Sequence, residues 1–230
     1  MSTTKSVIFL VMICIGIVGG TDDTRHSETS QDHISAVLIR EMIDNQEEII
    51  LDNFVVEGDL NLRRLDQVGC LHFNNTIFQG SVDFGNVHFI DRIYFNGAQF
   101  DGDVDFENAQ FDDDVGFENT QFDDDADFSE AQFYGDVNYS TANFGGDACF
   151  IQTQFNGNAY FFDVQFEGDA EFTLAQFNGD ACFWGAQFDD SLDTLGAVFN
   201  GCTDFLDVTR PIPTRSGEVE EYREIAAGKA

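Results

Sequence analysis

Basic residues are scarce in this chain of 230 residues. Lys+Arg number 10 against Asp+Glu 43, for a formal net charge of −33. A surface of that sign repels phosphate backbones, which argues against direct nucleic-acid binding. Proline is scarcer still: the two present, Pro211 and Pro213, break regular structure only near the end of the chain. No His/Cys cluster has metal-ligand spacing, and no Ser/His/Asp arrangement is visible, so nothing in the pattern marks an enzyme or calls for a cofactor. Calcium-binding nonapeptides, twelve-residue calcium loops and the threonine ladders suited to ice are missing as well. Apolar residues are not lacking. At 43% they exclude a disordered acidic chain and suffice for one substantial domain.

Residues 1–20 hold Lys5, an apolar run from Val7 to Val18, and then Gly19-Gly20. A lysine, a short apolar core and small residues resemble a secretory signal peptide. The run falls short of the roughly 20 residues of a comfortable membrane span. A retained, tilted anchor through residues 7–18 is the second reading. A lipid-modified Cys14 is the third, since Ile13 stands where a small residue would be expected. Residues 21–48 are expected to form a polar linker and a helix. Asp32 caps the helix, which runs to about Asn45, with Ile34, Val37, Leu38, Met42 and Ile43 at helical spacing to cover the open end of the next domain.

Phenylalanines then recur at 95, 100, 106, 111, 117, 122, 128 and 133, alternately five and six apart, so the repeat is eleven residues. Each carries a small apolar residue two positions before it, as in Ala98-Gln99-Phe100 and Val104-Asp105-Phe106. Residues two apart share one face of a strand but lie about 200° apart on a helix, so the pattern is a strand pattern. The same grid runs from Ile49/Leu51 to Thr203/Phe205, with weak places at Leu65/Gln67 and Leu192/Thr194. Corners of two and three residues alternate. The longer corner often has Gly in the middle (Gly102, Gly135, Gly146, Gly157, Gly168), which predicts a positive φ there. The alternation requires an even number of sides, and two would leave no room for facing rings. The expected fold is therefore an all-β solenoid, a four-sided β-helix of 22 residues per coil over residues 49–205. A tail or cap is expected over residues 206–230, with Val219, Tyr222 and Ile225 on one face of a short helix.

The units Ala98-Gln99-Phe100, Ala131-Gln132-Phe133, Ala175-Gln176-Phe177 and Ala186-Gln187-Phe188 resemble the motif of the pentapeptide-repeat family. The resemblance implies a right-handed four-sided β-helix. This chain departs from a strict period of five by adding a residue, usually Asp, to every second unit.

At 22 residues per coil, Asp103, Asp125, Asp147 and Asp169 stack in one row. Asp114, Asp136, Asn158 and Asp180 stack in another on the opposite side. These aspartates are weak metal candidates, set against corner residues that cap backbone amides. Gln99, Gln121, Asn143, Gln165 and Gln187 form one amide ladder, and Gln110, Gln132, Gln154 and Gln176 another, each expected to bond along itself. Cys149 and Cys182 fall on opposite faces, and Cys70 and Cys202 fall six coils apart, so no disulfide is expected among them. Three readings of the charge stay open: adaptation to high salt, cation binding, and imitation of a polyanion. The spread of the acids along the chain favours the first. The function expected is a non-enzymatic scaffold for protein partners, exported or held at the cell surface. The alternatives are a DNA mimic that engages a topoisomerase, as the resemblance implies for some family members, and a divalent-cation module.

Overall fold

The computed structural model describes residues 31–45, 49–63 and 65–209, so the expectations for residues 1–20 and for a helix at 218–227 lie outside the described residues. The described chain opens with β1 (Asp32–Ser35), α1 (Ala36–Asp44), β2 (Ile49–Ile50), β3 (Phe54–Glu57), β4 (Leu60–Asn61) and β5 (Gln67–Val68). The last four begin a cycle of four strands that repeats to Thr203–Asp204. Strands of equal rank pair in parallel, giving four sheets of eight, eight, seven and seven strands. We number the faces 1 to 4 from β2 to β5, so faces 1 and 3 are opposed, as are 2 and 4. Each step but the one after β5 is 22 residues: Val104 lies between Val82 and Ala126, and Phe100 between Phe78 and Phe122. The four-sided 22-residue coil read from the sequence is the observed one.

Alternation of inward and outward residues drives this arrangement. The phenylalanines and the small residues two before them are buried from Leu71 to Phe188 almost without exception. Rings of one face stack coil upon coil, as in Phe111–Phe133 at 4.7 Å and 1°. Rings of facing sides meet edge to face, as in Phe106–Phe117 at 5.7 Å and 82°. Both are favoured arrangements of ring quadrupoles, each worth about 0.5–1.5 kcal/mol beyond area burial. Threonine can replace the small inward residue because its hydroxyl finds a carbonyl: Thr120 Oγ1 donates to Phe95 O at 2.8 Å, and Thr153 Oγ1 to Phe128 O at 2.7 Å. Tyr139 sits in the ring column of face 1, between Phe117 and Phe161, with a buried hydroxyl that has no partner. Burial pushes its pKa well up.

The first turns depart from the expected pattern in two ways. Asp32–Ser35 is not the start of the helix. It is β1, paired in parallel with β3, where it covers a sheet edge that would otherwise be bare. Ser35 is the cap, its hydroxyl accepting from Leu38 N–H at 3.3 Å. The phase of the helix shifts accordingly. Ala36, Ile39, Met42 and Ile43 are buried over the first coil, whereas Val37 and Leu38 are exposed. In β5 the inward residue is Val68, not Gln67, and the pairing with face 4 is Gln67↔His88 and Val68↔Phe89. An amide in an apolar core would lack partners, and a slip of one residue puts valine there instead. The extra residue is absorbed at the next corner, Gly69-Cys70, which has two residues where later coils have three.

The corners also differ from expectation. None of Gly102, Gly135, Gly146, Gly157 and Gly168 has a positive φ. Apart from Gly58, the positive φ values fall on the second residue of the two-residue corners, such as Asn75, Asn108, Thr141 and Leu174. Glycine serves the longer corners for a different reason. A Cβ on Gly157 would lie 2.2 Å from Gly135 O, and one on Gly179 would lie 2.3 Å from Gly157 O. Stacked corners touch backbone to backbone there.

At the far end the register outlasts Phe205. Val208 packs against the core and Thr209 bridges to Gln187 on face 2. No helix among the described residues is long and apolar enough to cross a membrane.

Candidate interaction surface

Outward side chains stand in columns, because each residue has a counterpart 22 positions on. The two expected rows of aspartate are in place. Asp103, Asp125, Asp147 and Asp169 occupy the corner between faces 2 and 3. Asp114, Asp136 and Asp180, with Asn158, occupy the corner between faces 4 and 1. Their carboxylates accept the corner amides of the next coil. Asp147 N–H donates to Asp125 Oδ1 and Asp169 N–H to Asp147 Oδ1, both at 2.9 Å. On the other row Asp136 N–H donates to Asp114 at 3.0 Å, Asn158 N–H to Asp136 at 2.7 Å and Cys202 N–H to Asp180 at 2.9 Å. Ionised acceptors make strong bonds of this kind. Among the described residues no group of three or more His, Cys, Asp or Glu side chains is arranged to hold a metal.

Face 3 is the acidic face. Asp83, Asp105, Asp127, Glu171 and Asp193 point outward from its strands, with Cys149 between them. An open depression of about 310 Å³ runs along it between Asp103 and Cys149. Arg63 lies across the start of this face. It bonds Asp83 at 2.9 Å, Asp105, and Glu107 at 3.5 Å, and so bridges successive coils. Those hydrogen bonds, the one to Asp83 first, raise its already high pKa. Sequence reasoning misses Arg63, although a signal exists: a basic residue immediately after an inward leucine, Leu62, at the head of an acidic column.

The glutamine columns of faces 2 and 4 do not bond along themselves as expected. They donate to corner carboxylates instead. Gln99 Nε2 reaches Asp101 at 2.9 Å and Asp123 at 3.0 Å, and Gln110 Nε2 reaches Asp112 at 3.0 Å. A charged acceptor within reach outcompetes a neutral amide. The amide ladder that does bond along itself is at a corner, Asn200 to Asn178 to Asn156 at 2.9 Å each. Burial and then the nearby Asp123 raise the Asp101 pKa, while the Asp114 amide and then Arg92 lower that of Asp113. Cys149, Cys182 and Cys202 are free thiols, with Cys149 and Cys182 on opposite faces. Burial pushes both Cys149 and Cys182 upward, which keeps them protonated and poor nucleophiles.

Face 1 and its corner toward face 2 change character along the rod. The corner column is polar at Asp52, Asn74, Asn96, Glu118 and Ser140, and becomes Phe162, Trp184 and Leu206 in the last coils. Tyr160, on face 1 itself, lies parallel to Phe162 with ring centroids 5.8 Å apart. In the linear sequence Trp184 is only a lone aromatic at a corner. Its neighbours emerge once outward residues are aligned every 22 positions.

A family model described as "Pentapeptide repeats (9 copies)" matches residues 69–110, 95–138 and 139–187. No curated protein and no solved structure matches the chain. The match spans more than half of the sequence and coincides with coils whose period, faces and ring columns have the same logic, so the chain belongs to the pentapeptide-repeat family.

Proposed function

We propose that the protein is a non-enzymatic scaffold, exported or held at the cell surface, whose flat faces bind a protein partner. The observation that carries this reading is the regularity of the outward columns. A side chain on any face is held by strand pairing above and below, so a partner meets a rigid, preorganised surface. The acidic surface, −33 overall, suits a salt-rich medium in which carboxylates hold hydrated counterions. Fractionation of the source cells, followed by the intact mass of the protein, tests the exported location. The reading expects the protein outside or at the envelope. Recovery from the cytosol with residues 1–20 still attached sinks that part.

The rows of carboxylate along the stack of coils favour a second reading, a polyanion mimic that occupies a nucleic-acid groove on a topoisomerase. A supercoiling assay with purified protein separates the two. Absence of inhibition at micromolar concentration ends the second.

A further inference from the structure

Phe162, Trp184 and Leu206 stand where earlier coils place side chains that serve the backbone. In those coils Asp52 accepts the Asn74 N–H at 2.9 Å, and Asn96 accepts the Glu118 N–H at 3.0 Å. The later residues can make no such bond and gain little burial in exchange, Trp184 being 39% and Leu206 61% exposed. They follow one another on adjacent coils, with Tyr160 beside Phe162, and so make an aromatic and apolar patch of the kind that marks a contact surface.

The rim of the patch is acidic. Asp180 lies two residues before Cys182, which pairs with Tyr160 on one side and Asp204 on the other. The Asp163 N–H donates to Trp184 O at 2.9 Å, and its carboxylate lies over Gly185. The chain has no Lys or Arg between Arg92 and Arg210, and no His after His88, so none of the coils around the patch supplies a cation of its own. Where the chain does set a guanidinium against its carboxylates, the fit is close. Arg63 bridges Asp83, Asp105 and Glu107, and Arg92 reaches Asp113 at 3.1 Å and Asp114 at 3.0 Å.

From the aromatic platform, its acidic rim and the lack of a cation in the described coils around it, we infer that this patch docks an arginine-bearing segment of another polypeptide. The guanidinium stacks on Trp184 and the Tyr160–Phe162 pair and donates to the rim carboxylates. A planar guanidinium stacks and forks where an ammonium does neither well, so arginine is preferred over lysine. The inference rests on the protein-interaction reading and says which face and which partner chemistry carry it.

Trp184 is the single tryptophan, so its emission reports on this patch. The test titrates the full chain with an arginine nonapeptide, a lysine nonapeptide and a neutral nonapeptide containing one phenylalanine. Emission is followed together with the anisotropy of labelled peptide. The arginine peptide is expected to change Trp184 emission saturably and to bind about tenfold more tightly than the lysine peptide. Trp184→Ala and Phe162→Ser should each weaken it by about tenfold, and an Asp105→Asn/Asp127→Asn variant of the opposite face should leave it nearly unchanged. Circular dichroism checks that each variant folds, and Phe162→Ser serves if Trp184→Ala does not. Equal binding to parent and Trp184→Ala, lost in the face 3 variant, overturns the patch while leaving a protein-binding scaffold intact. Binding of the neutral peptide as tightly as the arginine one overturns the cationic partner. A concentration-dependent emission change without peptide assigns the patch to a second copy of the chain and overturns the proposal. No binding of any peptide overturns it too, and the location experiment above still judges the scaffold reading separately.

Discussion

At a two-residue corner the chain turns by placing one residue in the left-handed region, as at Asn108 (φ 55°). At the three-residue corners after the first coil it turns without any positive φ, and stacked backbones approach so closely that Gly157 has no room for a Cβ. The short corner therefore constrains backbone conformation and tolerates many side chains, including Glu130, Thr141 and Leu174. The long corner constrains the volume at its middle residue and uses its last residue, such as Asp136, to accept the amide of the next coil. One corner is a dihedral problem and the other a contact problem. The same residue type, glycine, answers both.

Substitutions separate the two. The largest effect is expected at Gly157→Ala, which drives a methyl into Gly135 O and lowers stability by about 3 kcal/mol, the upper range for overpacking. Urea unfolding measures it, and a change below about 0.5 kcal/mol would show that the corners are not in contact. Next is Asp136→Ala, which strands the Asn158 amide and costs about 1–2 kcal/mol. Asp136→Asn keeps an acceptor and should cost far less. Equal losses for the two variants would mean that the charge matters and the hydrogen bond does not.

Leu174→Asn has the opposite sign. Leucine at φ 58° carries a left-handed penalty of about 1 kcal/mol that asparagine largely avoids, so this variant should melt higher than the parent. A lower melting temperature would remove the dihedral account of the short corner. The smallest effect is a pH dependence at a long corner. Burial and Asp123 raise the Asp101 pKa above the usual carboxylate range. Its protonated form is thus favoured by folding, and that contribution is lost as pH rises through the folded pKa. Asp101→Asn should therefore gain stability over the parent near neutral pH, and the gain should fade below the usual carboxylate range. A gain independent of pH would contradict it.

The same contrast explains what could be read from the sequence. Burial alternates with period two on every side, so the eleven-residue repeat, the inward grid and the four-sided coil were legible from the phenylalanines alone. Glycine at Gly157 was legible as special but not as to why, because positive φ and close approach leave the same mark. The asparagines at 75, 86, 108 and 119 carried the missing sign, since asparagine tolerates the left-handed region. The positions of Asp125 and Asp147 were legible. Their bonds to the next corner needed the axial stacking in atomic detail. The start of α1 was not legible, because β1 exists only through a partner, β3, that lies 22 residues further along. The Phe162–Trp184–Leu206 column becomes visible only when the 22-residue coil, not the eleven-residue repeat, is used to align the chain.

The coil itself is tested by one distance. Ile90 and Asn200 occupy the same corner position, 110 residues and five coils apart, and both are exposed. Spin labels on Ile90→Cys and Asn200→Cys, with the native cysteines replaced by serine, read their separation by pulsed dipolar spectroscopy. A four-sided coil predicts about 24 Å between the two sites at one strand spacing per coil, and a separation of about 48 Å, as an eleven-residue two-sided coil would give, contradicts it.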